Sequence, residues 1–382
     1  MTHHRPRRFA CALAFIVGLF AVATVSTAQG IAAALPSSVV STNESLTSSQ
    51  AEVVNRFVTA WSKRLMDGGD ASSAAEARSV LLEPLTQPGA TATFKDQYSA
   101  RLINAIGDGL SADAFHVRLN TMIVVAATTG AYGVDVAEAG LEAESAAIRY
   151  WAARTLANAL EGGPDRPSIG ELRQRRVHRA VVGMVGDEDS SEVREHLYRS
   201  LAAMQFPAAR ATAIDAIRER LGTYGKAGIS ADLLAEKTGL NKLYIVLVNE
   251  AVNNGGARTR AQLRDLAVVA YRAVRLIARD VAQGEVDDDT RAVARDIVTI
   301  GQRILVETLK EFGASPAEAP DFEASFRAGE YVKFAWQVND WATRLTDEPL
   351  SAPEEQLSIP KREGGGDAGA AEGDGEASTD GR

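Results

Sequence analysis

The amino-acid sequence predicts an all-α fold made of helical hairpins. Apolar residues recur at steps of three and four, which places them on one face of a helix. Glycines divide residues 49–346 into segments that suit one helix or a hairpin of two. No proline occurs in residues 208–315, so nothing in that stretch interrupts a helix. The apolar stripes are Val54, Phe57, Trp61 and Leu65; Leu263, Leu266, Ala270, Val274, Ile277 and Val281; Val293, Ile297, Ile300 and Ile304; and Phe334, Val338, Trp341 and Leu345.

Residues 1–28 have the three parts of an export signal. A basic start precedes residues 9–25, a run without charge, and Ser26-Thr27-Ala28 offers small residues to a signal peptidase. An uncleaved membrane anchor is the alternative, because this run is at the short limit of the roughly 17–25 residues that span a bilayer. Cys11, the single cysteine, lies inside the run. The sequence therefore excludes a disulfide framework and a cysteine-based zinc cluster.

Two further segments are predicted to lie outside the folded part. Residues 29–48 are rich in Ser, Thr and Ala, which is typical of a flexible linker. Residues 347–382 hold ten acids and three bases, and we expect them to form a disordered acidic Gly/Ala-rich tail. This tail carries most of the net charge of −9. It serves either solubility or contact with a partner.

A pattern of an acid, three residues, Val or Ile, and Arg occurs three times in the chain. Apolar or small residues follow four and eight positions after the Val or Ile, so these positions share a buried helix face. We expect the acid to cap the start of the helix, where a carboxylate meets free N–H groups. The Arg lies beside the buried face, where it can reach an acid of a neighbouring repeat. The pattern ends at Val117-Arg118, Ile148-Arg149 and Val193-Arg194.

These windows resemble the second helix of HEAT repeats, in which an acid in the intra-repeat turn precedes a Val-Arg pair and a helix of small residues. Residues 186–194 are the most similar to that pattern. The resemblance covers residues 75–221 and implies an α-solenoid, an interaction fold with an extended concave surface. We therefore assign residues 49–228 to HEAT-like repeats. Residues 229–346 are assigned to additional C-terminal helices, packed onto the array or forming a separate domain.

The sequence contains no pattern that identifies a catalytic, cofactor or metal site. Phosphate-loop, serine-hydrolase and zinc-protease motifs are absent. Glu192 and His196 are four residues apart and could be half of a metal site. Because a metal needs three or four converging ligands, we interpret them as a surface pair. Residues 187–189 are an acidic run that we interpret as a helix-capping turn, since Glu192 stands where a calcium loop would need glycine. We interpret the acidic run 287–289 in the same way.

Two groups of residues are candidates for a binding surface. The basic stretch 173–179 could contact an anionic partner. Val177, Val181 and Val182 instead indicate a helix that buries its valines and exposes its arginines. A set of aromatic residues near the C-terminus could line a groove, although helical spacing is more typical of a core. These aromatic residues are Phe322, Phe326, Phe334, Trp336 and Trp341.

We expect an exported, non-enzymatic helical-repeat protein that binds or scaffolds other proteins outside the cytoplasm, in a periplasm, in the cell envelope or after secretion. No cofactor is expected. The acidic charge argues against nucleic acid as the main partner, and membrane contact requires that residues 1–28 stay uncleaved. The alternatives are an enzyme or enzyme subunit of the envelope with a site between repeats, and a structural envelope protein held by its anchor. The sequence does not identify the binding residues.

Overall fold

The regular structure of the protein is helical throughout its described part. The computed structural model describes residues 34–67, 69–128, 131–162, 169–284, 286–316 and 319–362. Within these ranges there are sixteen α-helices, two short 3₁₀ helices and no strand, which confirms the all-α prediction. The predicted signal peptide lies outside the described residues. None of the described helices is both long enough and apolar enough to span a membrane.

The helices follow one another with short connections. In chain order they are α1 (Ser37–Val40), α2 (Ser48–Met66), α3 (Ala71–Thr86), α4 (Ala92–Ile106), α5 (Phe115–Ala127), α6 (Val134–Leu141), α7 (Ala146–Glu161), α8 (Glu171–Val185), α9 (Ser191–Ala203), α10 (Pro207–Ala227), α11 (Leu234–Asn254), α12 (Ala257–Ala282), α13 (Asp288–Glu311), α14 (Phe322–Arg327), α15 (Tyr331–Thr346) and α16 (Glu354–Leu357). The 3₁₀ helices are Gly107–Ser111 and Ala231–Leu233.

Alternate helices pack against each other along the chain. Helices α3, α5, α7, α9, α11 and α13 form one succession, in which each contacts the next, and α6, α8, α10 and α12 form a second. Consecutive helices such as α2 and α3, α6 and α7, and α12 and α13 also contact each other. The C-terminal helices pack directly on the preceding ones, through α9 with α11 and α10 with α12.

The apolar stripes of the sequence form the buried faces of the helices. Every residue of the stripes in α2, α12 and α15 is buried. In α13, Ile297 and Ile304 are buried, whereas Val293 and Ile300 are half-buried. Residues 243–248 are an unbroken run of large apolar residues that would also suit a strand, and they lie inside α11.

The starts of α10 and α13 have clear causes in the sequence. Pro207 occupies the first turn of α10, where its missing N–H costs no hydrogen bond. Asp287 caps α13 by accepting the backbone N–H of Thr290 at 2.7 Å. The acidic run 287–289 is therefore a capping turn, as predicted.

The predicted linker 29–48 is packed over much of its described length. Leu35, Val39 and Val40 are buried, and the backbone N–H of Thr91 donates to the Val40 carbonyl at 3.3 Å. The prediction of a free linker is therefore wrong for residues 35–40. The segment is rich in Ser and Thr, but its three apolar side chains reach the core.

The predicted tail also begins later than the sequence indicated. Leu350 and Leu357 are buried, and Arg275 of α12 donates from Nη1 to the Leu357 carbonyl at 3.0 Å. Residues 347–362 therefore belong to the packed part, because their few apolar side chains find a place among the helices despite the surrounding acids. Residues 363–382 lie outside the described residues.

Candidate functional site

The arginine of the second window joins two neighbouring turns of the chain. Nη1 of Arg149 donates to the carbonyls of Ala143 and Glu144 at 3.0 and 2.7 Å. Its Nε and Nη2 bind the two carboxylate oxygens of Glu188 at 2.7 and 2.9 Å. Glu188 lies in the turn before α9, so Arg149 fixes that turn to the start of α7. Arg149 thus reaches an acid of a later helical segment, 39 residues along the chain.

The arginine of the third window repeats this arrangement one step along the chain. Nη1 of Arg194 donates to the carbonyls of Glu188 and Asp189 at 2.9 and 2.7 Å. Its Nε lies 3.3 Å from Oε1 of Glu236 in α11. Both charged side chains are fully buried. Glu188 thus takes part in two links, with its carboxylate on Arg149 and its carbonyl on Arg194.

Two tyrosines complete the buried pair of Arg194 and Glu236. The hydroxyl of Tyr198 donates to Oε1 of Glu236 at 3.2 Å, and that of Tyr224 donates to Oε2 at 3.3 Å. Nη2 of Arg194 in turn donates to the Tyr224 hydroxyl at 3.2 Å. Burial raises the pKa of the Glu236 carboxyl, and the nearby Arg194 offsets part of that rise. The charge on Glu236 therefore depends on Arg194.

A third link of the same kind follows at α10. Arg210 donates to the Met204 carbonyl at 3.3 Å and from Nη2 to both carboxylate oxygens of Glu250 at 2.9 Å. The arginine and its acid are 39, 42 and 40 residues apart in the three links. Arg78 and Asn120 pair at 2.8 Å across 42 residues. We call the set of Arg149, Arg194 and Arg210 with their carbonyls and acids the arginine ladder.

The structure corrects the predicted role of the motif acids. None of these acids is the N-cap residue of its helix, and the N-caps of α5 and α7 have no side-chain hydrogen bond. The carbonyls of the turn accept from the arginine instead, at two of the three windows. Arg118, in the first window, makes no such link within the described residues. The motif acids are Asp113, Glu144 and Asp189, and the N-caps are Ala114, Ser145 and Ser190.

An open cleft lies where the C-terminal ends of α7 and α9 meet the side of α11. Its volume is about 460 Å³. Its lining is apolar at Leu160, Ala202, Ala203, Ile245 and Val246 and polar at Glu161, Arg199, Gln205 and Lys242. Ile245 is 46% exposed, although it is a large aliphatic side chain.

Two cations share a single carboxylate in this cleft. Arg199 donates from Nε and Nη2 to the two oxygens of Glu161 at 3.1 and 2.6 Å, and Nζ of Lys242 lies 3.0 Å from Oε1. Burial alone would raise the pKa of Glu161, but Arg199 and Lys242 outweigh it and hold that pKa below its ordinary value. The three groups carry a net positive charge, beside an apolar surface.

His196 forms part of the support behind Arg199. Its Nδ1 lies 3.0 Å from Nη1 of Arg199, and its ring packs edge-on against Tyr150 with centroids 5.0 Å apart. Burial, together with the charges of Arg199 and Arg154, lowers the pKa of His196 to about 4. The imidazole is therefore neutral at neutral pH and accepts the arginine N–H. His196 therefore orients Arg199.

The predicted surface pair of Glu192 and His196 is not formed. Glu192 accepts hydrogen bonds from the hydroxyls of Ser190 and Ser191 at 2.9 and 3.3 Å, whereas His196 is buried. The helix turns the two side chains toward different surroundings. No group of three or more His, Cys, Asp or Glu side chains in the described part of the chain is placed to hold a metal ion. In the run 187–189, the helix cap is Ser190 and Glu188 is a ladder acid.

The basic stretch 173–179 lies on α8 and is largely neutralised by neighbouring acids. Arg173 pairs with Asp135 at 2.8 Å, and Arg176 pairs with Glu138 at 2.8 Å. Two of the predicted buried valines, Val177 and Val181, are buried, but Val182 is 43% exposed. These two arginines link α8 to α6.

The aromatic residues near the C-terminus divide between core and surface. Phe322, Phe326, Phe334 and Trp341 are buried and contact one another edge-on. Trp336 is 75% exposed. The interpretation of this group as core is therefore confirmed for four residues and wrong for Trp336, which faces away from the helices that α15 packs on.

The acids that complete the ladder and the groups that form the cleft carry no local signal in the sequence by which they could be identified. Glu236, Glu250, Glu161 and Lys242 lie within helices, and no local motif marks them. A pairing of each buried-face arginine with a Glu about forty residues further along would have identified the acids.

Comparison with known proteins assigns the chain to no family. No protein-family profile matches it, and no curated protein has a significant sequence match to it. An engineered protein whose crystal structure was determined by the Northeast Structural Genomics Consortium is similar over 84% of this chain and 97% of its own, with 14% sequence identity and a TM-score of 0.28. The molecule is thus described by its own features, as an all-α protein with an arginine ladder and an open cleft.

Removal of the acid from the buried pair should destabilise the protein strongly. Glu236→Gln leaves the charge of Arg194 buried without a carboxylate, and we expect a loss of about 3–5 kcal/mol in the free energy of unfolding. Glu171→Gln, in the exposed pair with Arg175, should change it by less than about 1 kcal/mol. Denaturant unfolding followed by circular dichroism measures both. Similar small losses for the two variants would contradict a structural role for the ladder.

The pH dependence of stability should carry a contribution from His196. Its pKa of about 4 lies below the ordinary value of 6.5, so the unfolded chain binds a proton more readily. The contribution is fully present above pH 6.5 and is lost as the pH falls toward 4, and it amounts to at most about 3 kcal/mol. We expect His196→Gln to flatten the profile of unfolding free energy between pH 6.5 and 4. Parallel profiles for the two proteins would refute this assignment.

Proposed function

We propose that residues 49–228 form a HEAT-like α-solenoid and that the helices up to residue 346 extend it. The two successions of alternate helices support this proposal, because stacked helix pairs pack in that manner. The arginine ladder supports it as well. Its separations of 39, 42 and 40 residues are close to the period of about 40–47 residues of HEAT-like repeats.

We infer that the protein binds a protein partner without catalysing a reaction, and that the cleft of α7, α9 and α11 is the contact site. The observation that carries this proposal is the sharing of Glu161 by Arg199 and Lys242. One carboxylate leaves the two cations incompletely neutralised. A second carboxylate, brought by a partner, would complete the charge balance in a partly desolvated setting, where such hydrogen bonds are strong.

The apolar part of the cleft defines the other requirement for the partner. Ile245 and Val246 stand beside the charged groups, so an aliphatic side chain next to the incoming carboxylate would bury apolar surface. The partner that fits is therefore a segment with Asp or Glu adjacent to Leu, Ile or Val. The neutral His196 accepts from Arg199 through Nδ1, and this use of its lone pair favours binding over proton transfer.

The location of the protein is inferred from its first residues. Residues 1–28 have the organisation of a cleaved export signal, and we propose that the protein acts outside the cytoplasm. N-terminal sequencing of the protein purified from its source should give a start at or near Gln29. A start at Met1 would instead favour an anchored envelope protein.

The chemistry of the cleft can be tested with a random peptide display library. Selection on the purified protein should enrich peptides in which Asp or Glu adjoins Leu, Ile or Val. In fluorescence anisotropy, replacement of that acid by its amide should weaken binding by about tenfold, which corresponds to one lost charge-assisted contact. Equal binding of the acid and the amide would overturn the carboxylate requirement.

Matched variants of α11 decide whether the cleft is the site. Lys242→Glu and Ile245→Asp should each weaken binding of the selected peptide by about tenfold or more. Lys237→Glu is the control, because Lys237 is on the same helix and pairs with Asp296 outside the cleft. If all three variants bind alike, the contact surface is elsewhere on the protein.

A further inference from the structure

The outer face of α15 carries two large apolar side chains that no described helix covers. Val332 is 72% exposed and Trp336 is 75% exposed. They are one turn apart and border a shallow concavity of about 680 Å³ with Tyr331 and Lys333. Helix α15 is fixed to α12, α14 and α16 through its opposite face, which carries the buried stripe.

The charges of α15 lie on the same side as Trp336. At 100° per residue, Val332, Lys333, Trp336 and Asp340 fall within about 100° of arc, opposite the buried residues. Lys333 precedes Trp336 by three residues and Asp340 follows it by four. A positive and a negative side chain therefore stand at nearly equal distances on either side of one exposed indole ring.

We propose that two copies of the protein associate through this face, with their α15 helices antiparallel about a twofold axis beside Trp336. In that arrangement the two Trp336 side chains meet, and each Lys333 lies opposite Asp340 of the other copy. A twofold interface brings residue i to residue j and residue j to residue i, and the sequence of α15 satisfies that condition without any change.

Lys333 and Asp340 have partners within their own helix, but these partners can be exchanged for those of the other copy. Lys333 pairs with Glu330 at 2.9 Å and Asp340 pairs with Arg344 at 3.7 Å, and all four side chains are partly exposed. Exposed pairs within a helix contribute little, so a partner at an apolar interface can replace them. Burial of an exposed Trp and Val from each copy supplies the main favourable term.

The oligomeric state of the purified protein tests the proposal. Analytical ultracentrifugation over a hundredfold concentration range should show a monomer–dimer equilibrium, with Trp336 fluorescence shifted to shorter wavelength in the dimer. Trp336→Lys should abolish the dimer and leave the helical circular dichroism unchanged, because the side chain is exposed. Leu172→Lys is the matched control, since Leu172 on α8 is 87% exposed and should leave the dimer intact.

A charge exchange tests the antiparallel register separately. Lys333→Asp places acid opposite acid at two symmetric positions and should weaken dimerisation by about tenfold. The double variant Lys333→Asp with Asp340→Lys should restore it. A protein that stays monomeric, or a dimer that survives Trp336→Lys, would overturn the proposal. A dimer that is equally strong in both charge variants would overturn the register.

Discussion

Each arginine of the ladder contacts both the turn before its own helix and an acid about forty residues away. Nη1 of Arg149 and of Arg194 satisfies two carbonyls of the preceding turn. Nε and Nη2 of Arg149 bind the Glu188 carboxylate, and Nε of Arg194 binds that of Glu236. Turn carbonyls that are buried at a helix start need a donor, and a guanidinium supplies several in a fixed plane. The same side chain thereby satisfies the backbone locally and sets the position of the next helix.

The geometry of the cleft depends on these links. The Arg149–Glu188 link positions the start of α9 against α7, and the Arg194–Glu236 link positions α11 against α9. The cleft is formed by the same three helices, at the C-terminal ends of α7 and α9 and along the side of α11. A rotation of α11 by one residue would move Lys242 away from Glu161. The buried pair is costly in desolvation, and its value to the protein is that it allows one register of the helices.

The helices and the contacts of two of the three motif arginines could be predicted from the sequence, because both follow from local spacing. Val193-Arg194 marks a buried face with a long cation beside it whatever the partner is. The partner acids could not be assigned in the same way, since Glu236 and Glu250 look like any other helical Glu until the chain is folded. The extent of the packed region was also underestimated. Residues 347–362 are acidic on average, and this led to the expectation that they stay outside the fold. Their packing depends instead on Leu350 and Leu357, which are buried.

The helical period explains why Trp341 is buried and Trp336 is exposed. Both lie on α15, five residues apart, and the stripe from Phe334 to Leu345 assigns Trp341 to the buried face. Five residues correspond to a rotation of about 140°, so Trp336 must point away from that face. An exposed indole on a helix that is already packed has no role in the stability of its own chain. Its position midway between Lys333 and Asp340 then becomes informative, because opposite charges that flank a common centre allow a helix to match a second copy of itself about a twofold axis. The cleft has no such symmetry, since three different helices build it, and a surface of that kind is suited to a different molecule.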